Sequence, residues 1–375
     1  MPRAPSRRRA GQGQGRPHPI SDNQSTPEMT TQHPAPELSR RAASRASAGA
    51  GPAIRHASLR GVGLILALML PATWAGAAVP PGATGPPRVH RALLVSIDGL
   101  RPDVLLRAQA PVLRGLMDRG SFTMWAQTTP AAVTLPSHVS MLTGVSPSRH
   151  GIEWNTDLPL ARPVYPASPT LFEVAHAAGL STAMAAGKTK FSVLVKPGTL
   201  DWWCVPSAST LSDSAVTDTA AGWIAARRPQ VLFVHLPDVD LTGHALGWGS
   251  PGQLAAVASA DRCVGRLLAA LARAGLRDST VILVTADHGG AGRSHGPDDP
   301  RSRFVPWIVA GPGVRENVDL TRFAELGIRT EDTFATLCRL LGLAVSGPLD
   351  GRPVSRILVD SGAAAESSLA PSQTP

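Results

Sequence analysis

Four short runs of aliphatic residues, many of them β-branched, constrain this chain most: residues 91–97 (RALLVSI), 230–236 (QVLFVHL), 281–284 (VILV) and 304–310 (FVPWIVA). A continuous apolar run of this length suits a strand covered on both faces, and covered strands belong to parallel sheets with helices on either side. Residues 181–186 predict one more strand, and helical stretches at 110–119, 169–179, 253–275 and 330–341 are interleaved with these strands. The expected fold class is therefore α/β: one three-layer domain over residues 88–355, with a mostly parallel central sheet and helices on both faces.

Open α/β sheets place their ligands beyond the C-terminal ends of strands, and that is where the reactive side chains fall here. Asp98 follows the first run, although an Asp-Gly pair is equally a turn or a helix cap. Asp238, Asp240 and His244 follow the run at 230–236; Asp240 and His244, four apart on a turn or short helix, can reach one metal, with Asp238 competing for that role. Asp287 and His288 follow the run at 281–284, and three glycines then let the backbone turn before His295. Lys188 and Lys190 can both reach one anion or simply stand in solvent. The spacing of Val139, Met141 and Leu142 predicts a helix beginning just after Pro136. Thr134 is then either its N-cap or a hydroxyl aimed at an anionic phosphoryl group. Residues 144–155 read as a turn-rich loop ending in Asn155, 21 positions beyond Thr134. On the long helix at 253–275, Leu254, Val257, Val264, Leu267, Leu268 and Leu271 form the buried stripe, with Asp261 and Arg262 exposed or capping.

A formal net charge of +9 invites a nucleic-acid partner, but residues 1–60 hold ten arginines against three acids, which leaves the rest of the chain near neutral. No nucleic-acid partner is inferred. That basic leader, rich in Pro, Ser, Gly and Gln, is expected to be disordered. Residues 61–78 (GVGLILALMLPATWAGAA) follow Arg55 and Arg60 and end in Ala75-Gly76-Ala77, the pattern of a secretory signal peptide. Pro71 interrupts the apolar run, which is shorter than the roughly 20 residues of a spanning helix. Export to the periplasm or the exterior, without a membrane anchor in the mature form, is the expectation. Residues 356–375 read as a loose polar tail. Cys204, Cys263 and Cys338 are too scattered for a thiolate metal site or a disulfide scaffold, although one bridge is open to them.

Six ordered motifs, SIDGLRPD (96–103), AVTLPSH (132–138), HGIEWN (150–155), PDVDLTGH (237–244), TADHGG (285–290) and SHGP (294–297), together resemble the alkaline phosphatase superfamily. The likeness is greatest to its type I phosphodiesterase/nucleotide pyrophosphatase branch. The resemblance implies two divalent metal ions: Asp240, His244 and His295 hold one, and Asp98, Asp287, His288 and the oxygen of Thr134 hold the other. It also selects Asp240 over Asp238. Mixed carboxylate and imidazole ligation favours Zn²⁺. Thr134 becomes the nucleophile of a phosphothreonine intermediate, activated by the metal rather than by a histidine base, and Asn155 a donor to a phosphoryl oxygen. Ser137 departs from the branch, whose members usually read Pro-Asn-His, and His138 is expected to be structural. Lys188-Thr189-Lys190 is similar to the paired basic residues of phosphonoacetate hydrolases and of some threonine-dependent phosphomonoesterases; two ammonium groups favour a dianionic substrate.

The expected function is an exported two-metal phosphoric ester hydrolase acting on a small phosphate ester. A phosphomonoesterase or phosphonoacetate-hydrolase-like enzyme using Lys188 and Lys190 is the alternative, and a non-catalytic metal- or anion-binding protein a remote one. No Cys-x-Pro-x-Arg sequence exists to serve a sulfatase, and membrane phosphoethanolamine transferases need a multi-helix anchor. Oligomeric state is not legible in the sequence.

Overall fold

Among the described residues eight strands make one sheet: β1 (Arg91–Ile97), β2 (Gly120–Gln127), β3 (Thr182–Ala186), β4 (Trp202–Cys204), β5 (Val231–Leu236), β6 (Thr280–Thr285), β7 (Phe304–Ala310) and β8 (Val318–Asp319). Their order is β4-β3-β5-β1-β6-β7-β2-β8. Only β7 runs against its neighbours; every other pairing is parallel. The computed structural model describes residues 89–156 and 163–359, so the expected leader, the signal peptide and residues 360–375 lie outside the described residues.

Every residue of β5 and β6 is buried, as is all of β1 after its first residue. Strands buried on alternate side chains in both directions need cover on both faces, and the helices of the described residues provide it. These are α1 (Pro102–Arg107), α2 (Pro111–Asp118), α3 (Thr134–Thr143), α4 (Pro147–His150), α5 (Leu171–Ala177), α6 (Asp213–Ala226), α7 (Asp238–Leu246), α8 (Pro251–Arg273), α9 (Pro300–Arg303) and α10 (Asp332–Leu341). Helices α1, α2, α6 and α7 pack around α8, whereas α3 packs with α4 and α10, and α5 lies on β3. The three-layer α/β architecture is as the sequence predicts. Among the described residues no helix is long and apolar enough to cross a membrane.

Several local expectations change. Helix α3 begins at Thr134 rather than after Pro136, and Val133 is its N-cap. Proline is tolerated there because first-turn N–H groups have no intrahelical partner to lose. The loop at 144–155 contains the single turn α4. Of the two expectations for Asp261, exposed or capping, the second holds: buried, its carboxylate accepts the N–H groups of Val112 (3.2 Å) and Leu113 (2.8 Å), capping α2 from across the interface. The expected tail starts too early, since Ile357 is buried and Leu358 bridges Val314. All three cysteines are free thiols.

Candidate metal centre and active site

Parallel strands β3, β5, β1 and β6 point their C-terminal ends the same way, so the segments that leave them converge. Asp98 follows β1, Lys188 follows β3, Asp240 and His244 ride on α7 after β5, and Asp287, His288 and His295 follow β6. Two glycines make the approach close enough. Gly99 sits at φ +73°, and a Cβ there would lie 3.0 Å from the Asp240 backbone; one on Gly290 would enter the Trp248 ring at 2.3 Å.

Asp98, Asp240 and Asp287 are almost wholly buried, and each divides its oxygens between two tasks. One oxygen is gripped by the protein. Asp287 Oδ1 accepts the Gly99 N–H (3.1 Å), Asp240 Oδ2 accepts from Lys188 Nζ (2.6 Å), and Asp98 Oδ2 accepts from His235 Nε2 (2.8 Å) and pairs with Lys188 Nζ (2.8 Å). The other oxygen, Oδ1 of Asp98 and Asp240 and Oδ2 of Asp287, is buried without a hydrogen-bond partner. Such orphaned acceptors are costly unless a cation meets them.

The imidazoles are aimed to match. In His244, His288 and His295, Nδ1 donates to the carbonyls of Arg293 (3.0 Å), Gly289 (2.8 Å) and Ala132 (2.9 Å) respectively. A carbonyl can only accept, so in the neutral ring each Nε2 keeps its lone pair, the tautomer a metal ligand needs. Those Nε2 atoms lie 3.2–3.9 Å from carboxylate oxygens: His288 from Asp287 and Asp98, His244 and His295 from Asp240. Ala132 adopts φ 48°, a strained conformation for a non-glycine residue that presents its carbonyl to His295. His138, by contrast, is satisfied at both nitrogens, by the Thr134 carbonyl and the Ser96 hydroxyl (each 2.7 Å), which leaves neither for a cation.

Within each of two groups, Asp240/His244/His295 and Asp98/Asp240/His288, the ligand atoms lie within 4.8 Å of one another, and Asp287 belongs to neither. Orphaned oxygens and lone-pair imidazoles without thiolate make a donor set that fits divalent cations. Asp240 belongs to both groups, whereas the expected division gave each acid to one ion.

Charge follows the same geometry. Burial disfavours the Asp98 charge, but Lys188 and His235 outweigh it and hold the carboxyl well below its usual range. Burial and the nearby Asp98 push Asp287 well above it. Burial also lowers His288 to about 4, keeping the ring neutral.

Thr134 closes the site at the N-terminus of α3, with its Oγ1 3.3 Å from His288 Nε2. Asn155 Oδ1 accepts from the Leu135 N–H (2.9 Å), and Lys190 Nζ donates to the Asn155 carbonyl (2.6 Å) and approaches Oδ1 (3.3 Å). The two lysines therefore do not converge on one point: Lys188 is engaged by acids and Lys190 by Asn155. Ser137 makes hydroxyl contacts to Thr129 (2.7 Å) and Thr128 (3.0 Å), and Thr128 in turn donates to the Asp287 carbonyl.

The profile of the type I phosphodiesterase/nucleotide pyrophosphatase family matches residues 92–300, more than half of the sequence. The chain belongs to that family. Members of the family are phosphoric ester hydrolases. An uncharacterised pyrophosphatase/phosphodiesterase of Schizosaccharomyces pombe is 25% identical over 216 residues, 52% of this chain and 44% of that protein. Mouse ectonucleotide pyrophosphatase/phosphodiesterase family member 7 is 26% identical over 239 residues, 57% of this chain and 53% of its own. The chain thus spans about half the length of the curated relatives it matches. An inactive variant of mouse ectonucleotide pyrophosphatase/phosphodiesterase 5, solved with AMP, shares the fold with a TM-score of 0.59 at 16% identity, covering 72% of this chain and 100% of that one.

Two residues of this candidate site are not legible in the sequence. His235 lies inside an apolar strand, and only the β1–β5 pairing reveals that it faces Asp98. Trp248 walls the site beside His244 and His295 and donates Nε1–H to the Gly99 carbonyl (2.9 Å).

The acid next to Asp240 has a different task. Asp213 and Asp238 cap each other's helices: the Asp238 N–H donates to Asp213 Oδ1 (2.9 Å) and the Asp213 N–H to Asp238 Oδ2 (3.1 Å). Burial, then repulsion from Asp238, raises Asp213 to about 7. A raised acid keeps its proton in the folded protein after the unfolded chain has lost it, so stability falls as pH rises from about 4 to 7. Asp213→Asn retains the acceptor and removes the charge. It should raise stability by roughly 2–4 kcal/mol at pH 8 and hardly at all at pH 4. Urea melts at both pH values test this; an equal gain at each would discard the buried charge as the cause.

Proposed function

We propose that this chain is an exported, metal-dependent phosphoric ester hydrolase of the phosphodiesterase/nucleotide pyrophosphatase type, working through a phosphothreonine at Thr134. The observation that carries the proposal is the meeting of three orphaned carboxylate oxygens and three lone-pair imidazoles beside one hydroxyl at a helix N-terminus. Asp240, His244 and His295 would hold one divalent cation and Asp98, Asp287 and His288 a second, with Asp240 in reach of both and Zn²⁺ suiting both. Cations so held supply Lewis-acid stabilisation of phosphoryl charge and lower the pKa of a neighbouring hydroxyl.

The chain's own groups account for the rest. Thr134 Oγ forms the new bond to phosphorus while the bond to the leaving alcohol breaks, and water later cleaves the Thr134 phosphoester and restores the hydroxyl. The N-terminal N–H groups of α3 and the helix dipole favour the anion that Thr134 carries in between. Asn155 has its carbonyl end tied to Leu135 and Lys190, so its amide end is the one left to donate to a non-bridging oxygen. Lys190 orients Asn155. His244 is 42% exposed on its side chain, which opens the Asp240 side of the site to solvent and substrate.

A panel of aryl monoester, aryl diester, dinucleotide and phosphonoacetate, run at alkaline pH with added zinc, tests the proposal. Diester and dinucleotide turnover that chelation abolishes and zinc restores is expected. A zinc-loaded protein that cleaves none of them overturns it, and preference for phosphonoacetate or the monoester would favour the alternative class.

A further inference from the structure

We infer that Lys188 is a positioning residue, a buried ammonium that clasps the outer oxygens of Asp98 and Asp240 and sets their spacing, rather than a contact for the substrate. The inference rests on the reading of those two acids as metal ligands.

Lys188 is only 8% exposed, and its Nζ lies 2.8 Å from Asp98 Oδ2 and 2.6 Å from Asp240 Oδ2. The oxygens it takes are not the orphaned ones. Oδ1 of both acids stays unpartnered, so the clasp and a cation divide each carboxylate between them instead of competing for one atom. Asp98 and Asp240 arrive from different strands, β1 and β5, 142 positions apart in the chain. Lys188 is the side chain that bonds to both.

The lysine is not delivered by a loose loop. Gly187, just before it, has no room for a side chain, because a Cβ would lie 2.5 Å from Pro237, the residue that caps α7. The Gly187 carbonyl accepts the Leu211 N–H (2.9 Å), and its N–H donates to His235 Nδ1 (3.2 Å). That last bond leaves Nδ1 without a proton, so His235 must carry its proton on Nε2, which donates to Asp98 Oδ2 (2.8 Å). His235 thus ties the turn that bears Lys188 to one of the acids that Lys188 holds. Two donors on one carboxylate oxygen fix its rotamer more firmly than either does alone, as outer partners of metal ligands do. The paired-lysine pattern of the sequence would serve an anionic substrate only if both ammonium groups were turned towards it.

Thermal melts of the metal-free protein test the clasp, with no dependence on turnover. Lys188→Met strands two buried acids and should lower the melting temperature by on the order of 10 °C. Zinc, by meeting the same acids, should close much of that gap, so the zinc-induced shift should be larger in the variant than in the wild type. If Lys188→Met does not fold, Lys188→Met/Asp98→Asn, with one stranded acid neutralised, should fold and melt higher than the single variant. On an aryl diester the loss should fall on kcat, with KM near the wild-type value. The clasp is overturned by a Lys188→Met protein with wild-type melting and zinc shift that raises KM selectively for the monoester. A double variant no more stable than the single one overturns it too. Failure of the hydrolysis panel removes the proposed function but leaves these metal-free melts readable, so the two failures are distinguishable.

Discussion

Thr134→Ala is expected to lower turnover of an aryl diester by about 10⁴-fold or more while the protein keeps its fold and its metal. The size of the loss follows from removing a covalent nucleophile, for which the surrounding groups recover only the residual rate of a bound but unattacked ester. Retention of the fold follows from what the side chain does not do. Thr134 is the first residue of α3, its N-cap is Val133, and no side-chain cap bond is made there, so alanine takes no cap away. Its Oγ1 contact to His288 is long, at 3.3 Å. The stability cost should be about 1 kcal/mol, in line with an ordinary substitution. Thr134→Ser keeps a hydroxyl at the same helix position and should keep part of the activity. Steady-state rates at matched zinc content, beside a thermal melt, decide the matter: undiminished turnover in Thr134→Ala removes the threonine from the mechanism.

Where the physics is local, the sequence displays it. Strands β1, β5 and β6 are visible because burial on both faces demands unbroken apolar residues, and Asp98, Asp240 and Asp287 because a parallel sheet puts its useful residues past its strand ends. Strand β2 carries no such signal, since GSFTMWAQ mixes buried and exposed positions without clean alternation. Helix α6, DSAVTDTAAGWIAA, was missed because its alanines and threonines draw no apolar stripe. Asp261 is a subtler case. It falls four positions after Val257 on the buried stripe of α8, but its charge argues for solvent until the N-terminus of α2 supplies two N–H donors for it. The same holds at the site. That Lys188 faces two acids, and that His235 holds its proton on Nε2, depends on which strands lie side by side, and pairings between segments 48 to 137 positions apart leave no local trace.

Asp240→Asn is expected to be the most damaging change to metal binding, because Asp240 belongs to both candidate groups. Groups that merely orient a metal ligand typically cost 10–100-fold in affinity when removed, so losing an acid shared by two sites should cost more than about 100-fold. The remaining structure should hold. Lys188 keeps Asp98 as a partner at 2.8 Å, and an asparagine oxygen can still accept from its ammonium. The decisive control is two residues away. Asp238 is also an acid of the first turn of α7, yet its carboxylate is spent on the Asp213 N–H (3.1 Å), at the start of α6. Asp238→Asn keeps an oxygen for that bond and should bind zinc as the wild type does. Zinc titration calorimetry and metal content after dialysis separate the two acids, one reading that sequence spacing alone left open. Retained metal in Asp240→Asn, or lost metal in Asp238→Asn, would place the cations elsewhere than in the groups that share Asp240, and with them the source of Thr134 activation.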